Sequence, residues 1–98
     1  MNNLQYLLMK LDEECKEVGI CSSKIMQFGL NSDNNGENVL NNKESLFLEL
    51  NDVLAVIQLL NEECQLGFTP DQDAIERKKL KLKKFRTISK NMGLVDMY

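Results

Sequence analysis

Largely apolar positions recur at intervals of three and four residues near the start of the chain. They are Leu4, Leu7, Leu8, Leu11, Cys15, Val18, Ser22 and Ile25. This spacing is typical of an amphipathic helix, because it lines one face of a structure with 3.6 residues per turn. It predicts a first helix from Leu4 to about Gln27, which the segment FGL at 28–30 should end.

The stretch that follows is polar. Residues 31–42, NSDNNGENVLNN, contain seven Asn or Asp residues and one Gly. Such a composition favours turns and bonds from side chains to the backbone over regular structure. It predicts a flexible polar loop at about 29–42.

A second helix is predicted from Asn41 to about Gln65. Asn41 is followed three positions later by Glu44, which is the pattern of a capping box. The centre of this helix, LFLELNDVLAVIQLL at 46–60, is apolar on nearly every side. Helices with that pattern are usually buried all round. Because 98 residues provide too little protein to surround it, the pattern predicts packing against a second copy of the chain.

A third helix is predicted to follow the break at Gly67 and Pro70, with Thr69 as N-cap and Pro70 as its first residue. It should run to about Met92 and leave a short C-terminal tail at about 93–98 after a glycine cap. The segment 76–86 within it, ERKKLKLKKFR, holds seven of the twelve Lys and Arg residues. Since no segment alternates convincingly as a strand would, the expected fold is all-α, with a single domain over 1–98.

Composition narrows the possible partners. A net charge of −3 and a pI of about 4.9 disfavour a general nucleic-acid-binding role. Cys15, Cys21 and Cys64 have no CxxC spacing and no His to join them, so we expect reduced core residues rather than disulfides or a zinc site. No secretory signal and no apolar run near the ~18 residues of a membrane span is present. These features predict a cytoplasmic protein without a membrane partner.

Two pairs of carboxylates carry the candidate chemistry. Glu14 and Glu17 are three residues apart, as are Glu49 and Asp52, so each pair projects from one face of its helix. An ExxE pair alone is usually a solvated surface, but Glu49 and Asp52 interrupt an apolar helix, where unpaired charges are costly to bury. Four carboxylates brought together would repel one another unless a divalent cation neutralised them. Oxygen ligands without His or Cys favour Mg²⁺, with Mn²⁺ as the other candidate.

These residues carry a resemblance to a known family. EECKE at 13–17 and ELNDVL at 49–54 resemble the EExxE and ELxDVL motifs of the MazG-like nucleotide pyrophosphohydrolases, which belong to the all-alpha NTP pyrophosphatase superfamily. The likeness is to the short phage-type members and covers about residues 4–90. KLKKF at 81–85 is similar to the lysine-bearing segment of the following family helix.

The resemblance implies a MazG-like helical bundle whose four-helix core is completed by dimerisation, in a homodimer or homotetramer. It also implies Mg²⁺-dependent hydrolysis of an NTP or dNTP to the monophosphate and pyrophosphate. Carried over to this sequence, the metal ligands and catalytic residues would be Glu14, Glu17, Glu49 and Asp52.

Three lysines are candidates for binding the substrate phosphates. Lys24 lies two helical turns after Glu17, and Lys81 and Lys84 share one face of the third helix. A surface lysine is an equally good interpretation of each. Phe28 is a candidate for stacking on a base, although a core aromatic is the commoner explanation.

Two alternatives to the enzyme hypothesis remain open. One is a non-catalytic helical module that binds a nucleotide or another protein. The other is an α-helical assembly protein whose acidic pairs form structural ion pairs with the lysine-rich helix.

Overall fold

The computed structural model describes residues 1–96, and its regular structure is entirely helical. Helix α1 spans Asn3–Phe28, α2 spans Asn42–Cys64 and α3 spans Gln72–Asn91. No strand occurs within these 96 residues, so the all-α prediction is confirmed. The chain divides into two compact units, one of residues Met1–Phe68 and one that begins at Thr69. The expectation of a single domain over 1–98 stays a prediction.

Helices α1 and α2 form an antiparallel hairpin. At one end, the side-chain amide of Asn3 donates a hydrogen bond to Glu63 Oε1 at 3.0 Å. At the other end, the side-chain amide of Asn42 donates to the carbonyl oxygen of Gly29, also at 3.0 Å. The start of α1 therefore lies beside the end of α2, and the end of α1 beside the start of α2.

The core of the hairpin is thin. Leu7 on α1 and Leu60 on α2 are its two buried residues. A row of half-buried residues continues the seam on α1, at Leu11, Glu14, Val18, Cys21 and Ile25, and another on α2, which includes Leu46, Glu49, Val53, Ile57 and Cys64. A chain of 98 residues has little surface to bury, which accounts for a core of this size.

The inward face of α1 differs in one respect from the sequence expectation. Cys15 was expected in the core but is exposed, whereas its neighbour Glu14 is half-buried. Each step of four residues turns the side-chain direction by about 40°, so two consecutive steps of four carry Cys15 out of the seam. Alternating steps of four and three keep the row facing the partner helix, and they pass through Glu14 instead.

The helix ends are set by local hydrogen bonds. The predicted capping box of α2 is present: Asn41 Oδ1 accepts from the Glu44 N–H at 2.8 Å, and Glu44 Oε1 accepts from the Asn41 N–H at 3.4 Å. The predicted start of α3 is wrong by two residues. Asp71 rather than Thr69 is the N-cap, and its Oδ1 accepts from the Ala74 N–H at 3.1 Å. A carboxylate satisfies the free N–H and also interacts favourably with the positive end of the helix dipole.

The predicted glycine cap of α3 is confirmed. Gly93 has a φ of 75°, in the left-handed region that glycine adopts at little cost. Its N–H donates to Lys90 O, and the Leu94 N–H donates to Ser89 O, both at 2.9 Å. This pair of bonds is a Schellman motif. The predicted tail at 93–98 extends beyond the described residues at positions 97 and 98.

The two units differ in charge and burial. Residues 1–68 carry four basic and eleven acidic side chains, a net charge of −7, whereas residues 69–98 carry eight basic and four acidic ones, a net charge of +4. No residue of α3 is buried.

Within the part of the chain that the structure describes, none of the helices has both the length and the hydrophobicity that a membrane span requires.

Candidate metal centre

The candidate centre is formed where the inward rows of α1 and α2 both contain a carboxylate. Glu14 occupies the seam position between Leu11 and Val18, and Glu49 occupies the facing row of α2. Both are half-buried. Asp52 lies one turn after Glu49 and is exposed. Carboxylates from two helices are thus directed to one place by the same 3.5-residue periodicity that builds the core.

The geometry of this cluster fits a small divalent cation. Glu14, Glu49 and Asp52 each offer one oxygen atom, and the three oxygens lie within 4.8 Å of one another. An octahedral Mg²⁺ ion with bonds of about 2.1 Å holds opposite ligands about 4.2 Å apart. Three ligands of such an ion include at least two adjacent pairs, which are only about 3.0 Å apart. The oxygens must therefore approach one another by up to about 1.8 Å to share the ion, which requires rotation of the side chains. An all-oxygen donor set also matches the preference of Mg²⁺ and Mn²⁺.

The fourth predicted ligand, Glu17, is not part of this three-carboxylate cluster. It is exposed and lies one turn further along α1 than Glu14. Its charge nevertheless acts on Glu49, so it belongs to the same negatively charged surroundings.

Burial raises the pKa of the Glu49 carboxyl above its ordinary value, and the nearby charges of Asp52, Glu17 and Glu14 raise it further. Each cause disfavours the charged form of Glu49 in the absence of a cation. A cation bound there would remove the repulsion. The raised pKa thus reflects burial first and the accumulated negative charge second, and no lysine of residues 1–68 forms an ion pair with Glu49.

The lysines of the hairpin do not balance these carboxylates. Lys10 pairs with Glu13 at 3.0 Å and Lys16 with Asp12 at 2.8 Å, both along α1. Within residues 1–68, no lysine forms an ion pair with any of the four predicted ligands. Glu13, the neighbour of Glu14, is thus paired with Lys10 and is not part of the cluster.

Of the predicted phosphate-binding lysines, Lys24 is the one on the hairpin. It is exposed and lies one turn beyond Cys21 on α1. Burial raises the pKa of the Cys21 thiol, Glu49 and Glu17 raise it further, and Lys24 lowers it. Lys24 and the acidic residues therefore act on the same half-buried thiol.

The other two lysines, Lys81 and Lys84, belong to the second unit and are exposed on α3. The ammonium of Lys81 lies 6.0 Å from the centre of the Phe85 ring, a cation–π contact along the helix. Their proposed contact with phosphate stays a prediction.

Two features of the centre escaped the sequence analysis. Glu14 faces the seam, and Cys21, whose thiol pKa the charge of Glu49 raises, stands in the row where Ser22 was expected. The signal for both was the spacing 7, 11, 14, 18, 21, 25, which alternates between four and three.

Comparison with known proteins adds no relative, since no protein-family model, curated protein or solved structure matches this chain.

Proposed function

We propose that this protein is a Mg²⁺-dependent nucleoside triphosphate pyrophosphohydrolase of the MazG-like kind, which hydrolyses an NTP or dNTP to the monophosphate and pyrophosphate. The single observation that carries the proposal is the convergence of Glu14, Glu49 and Asp52 within 4.8 Å, from two helices and without a lysine of the hairpin to pair them. Uncompensated, partly buried carboxylates are costly to stability, which makes a ligand-binding role a physical explanation for them.

In this proposal Glu14, Glu49 and Asp52 hold the metal. A bound Mg²⁺ would supply charge neutralisation for the phosphates and lower the pKa of a coordinated water. Glu17 lies outside the three-carboxylate cluster and is exposed, so its carboxylate remains available to accept the proton of the attacking water. Lys24 donates to a phosphate oxygen and offsets its charge.

The proposal includes a homodimer or a homotetramer, in which a second copy completes a four-helix core. Phe47, Leu50 and Leu54 follow one another at i, i+3 and i+7 on α2 and are 51%, 43% and 54% exposed. Leu4 and Leu8 on α1, exposed by 42% and 45%, extend the apolar surface. In an antiparallel pair, residues displaced in the same rotational sense from the inward row of each helix lie on one side of the hairpin. We call these five residues the apolar face.

A dimer built on the apolar face would leave the carboxylates accessible. Asp52 is two residues from both Leu50 and Leu54, so its side chain points about 160° away from each of them. A second copy on one side of α2 therefore does not cover the side from which substrate would approach. Burial of half-exposed leucine and phenylalanine side chains supplies the driving force.

The catalytic proposal is tested by assaying pyrophosphate release from a panel of common and modified nucleoside triphosphates with Mg²⁺ or Mn²⁺. We expect release from at least one of them, and its loss in the variant E49Q/D52N. Glu62→Gln is the matched control, because Glu62 is an exposed carboxylate of α2 outside the cluster. Absence of release from every nucleotide tested would overturn the proposal.

The division of roles within the site has its own test. Glu17→Gln should lower kcat by about 10²–10⁴-fold, the usual contribution of a general base, while Mg²⁺ binding is retained. Glu49→Gln should abolish Mg²⁺ binding itself. If both variants lost the metal equally, Glu17 would be a fourth ligand, as the family resemblance implies.

The dimer is tested by light scattering coupled to size-exclusion chromatography. Leu54→Glu should give a monomer, because a charge would be buried at the interface. Leu48→Glu is the matched control, since Leu48 is similarly exposed at 53% but lies outside the apolar face. A monomeric wild-type chain, or equal effects of the two variants, would contradict the dimer.

A non-catalytic interaction module is the second candidate, and the exposed apolar face is the observation that favours it. Under that hypothesis E49Q/D52N leaves partner binding intact and stabilises the fold, because it removes repelling charges. Under the enzyme hypothesis the same variant loses Mg²⁺ binding and turnover.

A further inference from the structure

The hairpin contains a cleft whose lining includes Lys24 but none of the carboxylates of the cluster. It lies where the end of α1 meets the polar loop, and its volume is about 240 Å³. The residues that line it are Lys24, Phe28, Ser32, Asn34, Asn38 and Asn42. It thus combines one cation, one aromatic ring and several short hydrogen-bonding side chains.

The loop that forms one wall of the cleft is held by backbone hydrogen bonds at its base. The Lys43 N–H donates to Leu30 O at 2.8 Å, and the Asn42 N–H donates to Ser32 O at 2.9 Å. These two bonds join the start of α2 to the chain that leaves α1. The wall is consequently anchored to both helices of the hairpin.

The tip of the loop is ordered by its own side chains. The Gly36 N–H donates to Asp33 Oδ1 at 2.9 Å, and the Asn38 N–H donates to the backbone oxygen of Asp33 at 3.0 Å. Asn34 and Asn35 both have a φ of 59°, in the left-handed region that asparagine tolerates better than most residues. Asn34 and Asn38 therefore belong to the turn and also line the cleft.

Two amides of the cleft are oriented by the bonds that they donate. The amide nitrogen of Asn34 donates to Glu37 Oε2 at 2.7 Å, and that of Asn42 donates to Gly29 O at 3.0 Å. Within the described residues, neither side-chain oxygen accepts a hydrogen bond from the protein. Asn34 and Asn42 therefore each retain an acceptor for N–H groups of a ligand.

Phe28 is not a core residue, because 66% of its surface is exposed. An exposed aromatic ring in a polar cleft offers a stacking surface for a flat heterocycle. Lys24 lies one turn earlier on α1 and lines the same cleft, so a cation stands beside the ring. An aromatic ring, a cation and amide acceptors together match a base attached to a phosphate chain.

The distance from the cleft to the carboxylates suits such a ligand. Asn42 precedes Glu49 by seven residues on α2, and Lys24 follows Glu17 by seven on α1, a rise of about 10 Å in each case. A nucleotide whose phosphates meet the carboxylates would reach the cleft with its base. The volume of about 240 Å³ is below the ~300–1,000 Å³ of sites that enclose a whole ligand, which fits a base and part of its sugar.

We propose that this cleft is the nucleobase subsite for the triphosphate, with Phe28 stacking on the base and with Asn34 and Asn42 accepting hydrogen bonds from its N–H groups. The inference rests on the proposed function, since it takes the carboxylate cluster as the place of the phosphates. A base with an exocyclic amino group supplies the donors that these two acceptors require.

The kinetic test compares Phe28→Ala with Met26→Ala. Met26 is also an apolar residue near the end of α1, is 86% exposed and does not line the cleft. Phe28→Ala should raise KM for the nucleoside triphosphate by about tenfold, the usual effect of one lost stacking contact, with little change in kcat. Met26→Ala should behave as wild type. Inorganic tripolyphosphate, which has no base, should bind equally well to all three proteins.

A binding measurement separates this inference from the proposed function. Amide signals of Asn34 and Asn38 are followed by NMR during titration with the nucleoside triphosphate, in wild type, Phe28→Ala and Phe28→Leu. The leucine variant keeps apolar bulk at the end of α1, so a loss of binding in both variants reports the aromatic ring rather than folding. Loop shifts that depend on Phe28 support the subsite even if pyrophosphate is never released.

The subsite is overturned in two ways. One is pyrophosphate release with equal KM values for Phe28→Ala and Met26→Ala, in which case the proposed function stands without this cleft. The other is nucleotide binding that leaves the amide signals of Asn34 and Asn38 unchanged.

Discussion

The hairpin of residues 1–68 and the α3 unit of residues 69–96 both contain well-capped helices, but they stabilise these helices differently. All three helices have side-chain N-caps, and α3 also ends in a Schellman motif. The hairpin buries Leu7 and Leu60, whereas no residue of α3 is buried. Good caps and propensity therefore specify a helix in both units, but only the hairpin has an apolar core in its favour.

The largest expected difference between the units is in the cost of losing a leucine. Leu60 is 0% exposed, and Leu60→Ala should lower the free energy of unfolding of the hairpin by about 2–5 kcal/mol. Leu80 on α3 is 67% exposed, so Leu80→Ala should change the free energy of unfolding of its own unit by no more than about 0.5 kcal/mol. Urea unfolding followed by circular dichroism measures both. Similar costs for the two variants would mean that α3 is covered as thoroughly as the hairpin core.

Magnesium should sharpen the contrast. A cation that binds only the folded hairpin raises its free energy of unfolding by about 2.7 kcal/mol at 100 times its Kd. We expect Mg²⁺ to raise the melting temperature of the wild type and to leave that of E49Q/D52N unchanged. If the wild-type melting temperature did not respond, the carboxylates would be a structural cluster and the metal proposal would be wrong.

Removal of an N-cap should have a smaller effect, and one that is confined to a unit. Asn41→Ala breaks a reciprocal capping box and Asp71→Ala a single cap bond, so each should cost about 0.5–2 kcal/mol in its own unit. Amide hydrogen exchange resolves the two. Asn41→Ala should accelerate exchange in α2, and Asp71→Ala should accelerate it in α3. Acceleration of both helices by either variant would show that the units unfold together.

The pH dependence should be the smallest effect, and its sign follows from Glu49. Its folded-state pKa is raised above the ordinary value of 4.5, so the folded hairpin binds a proton more tightly than the unfolded chain. Without Mg²⁺, stability should therefore fall as pH rises from about 4.5 through the raised pKa. Glu49→Gln should flatten this part of the profile. A profile that rises over the same range in both proteins would contradict the assignment.

Local signals in the sequence predicted the helices well. The pairing of Asn41 with Glu44 and the glycine at 93 fixed two helix ends correctly, because each depends on bonds within a few residues. Thr69 was a poorer guide, since Asp71 is both a stronger cap and a better partner for the helix dipole. Choosing between two neighbouring caps requires weighing energies that differ by only a few tenths of a kcal/mol.

The candidate site was predictable in part. The spacing of Glu49 and Asp52 within an apolar helix indicated a common purpose, and both are in the cluster. The alternating spacing of its row indicates that Glu14 faces α2. That Glu14 meets Glu49 and Asp52 while Glu17 does not depends on the register of α1 against α2, which no local pattern fixes. The cleft depends on how an asparagine-rich loop closes, and composition predicts turns there but not their shape.

The two backbone bonds at the base of the polar loop, from Lys43 to Leu30 and from Asn42 to Ser32, have an evolutionary consequence. Because they close the loop at its root, residues between them can be exchanged or lengthened at a small entropic cost, without moving either helix. Under the proposed function, with the base in the cleft and the phosphates at the carboxylates, substrate preference and hydrolytic chemistry reside in separable parts of one small protein. A transplanted loop could redirect the choice of base while the carboxylates stay where they are.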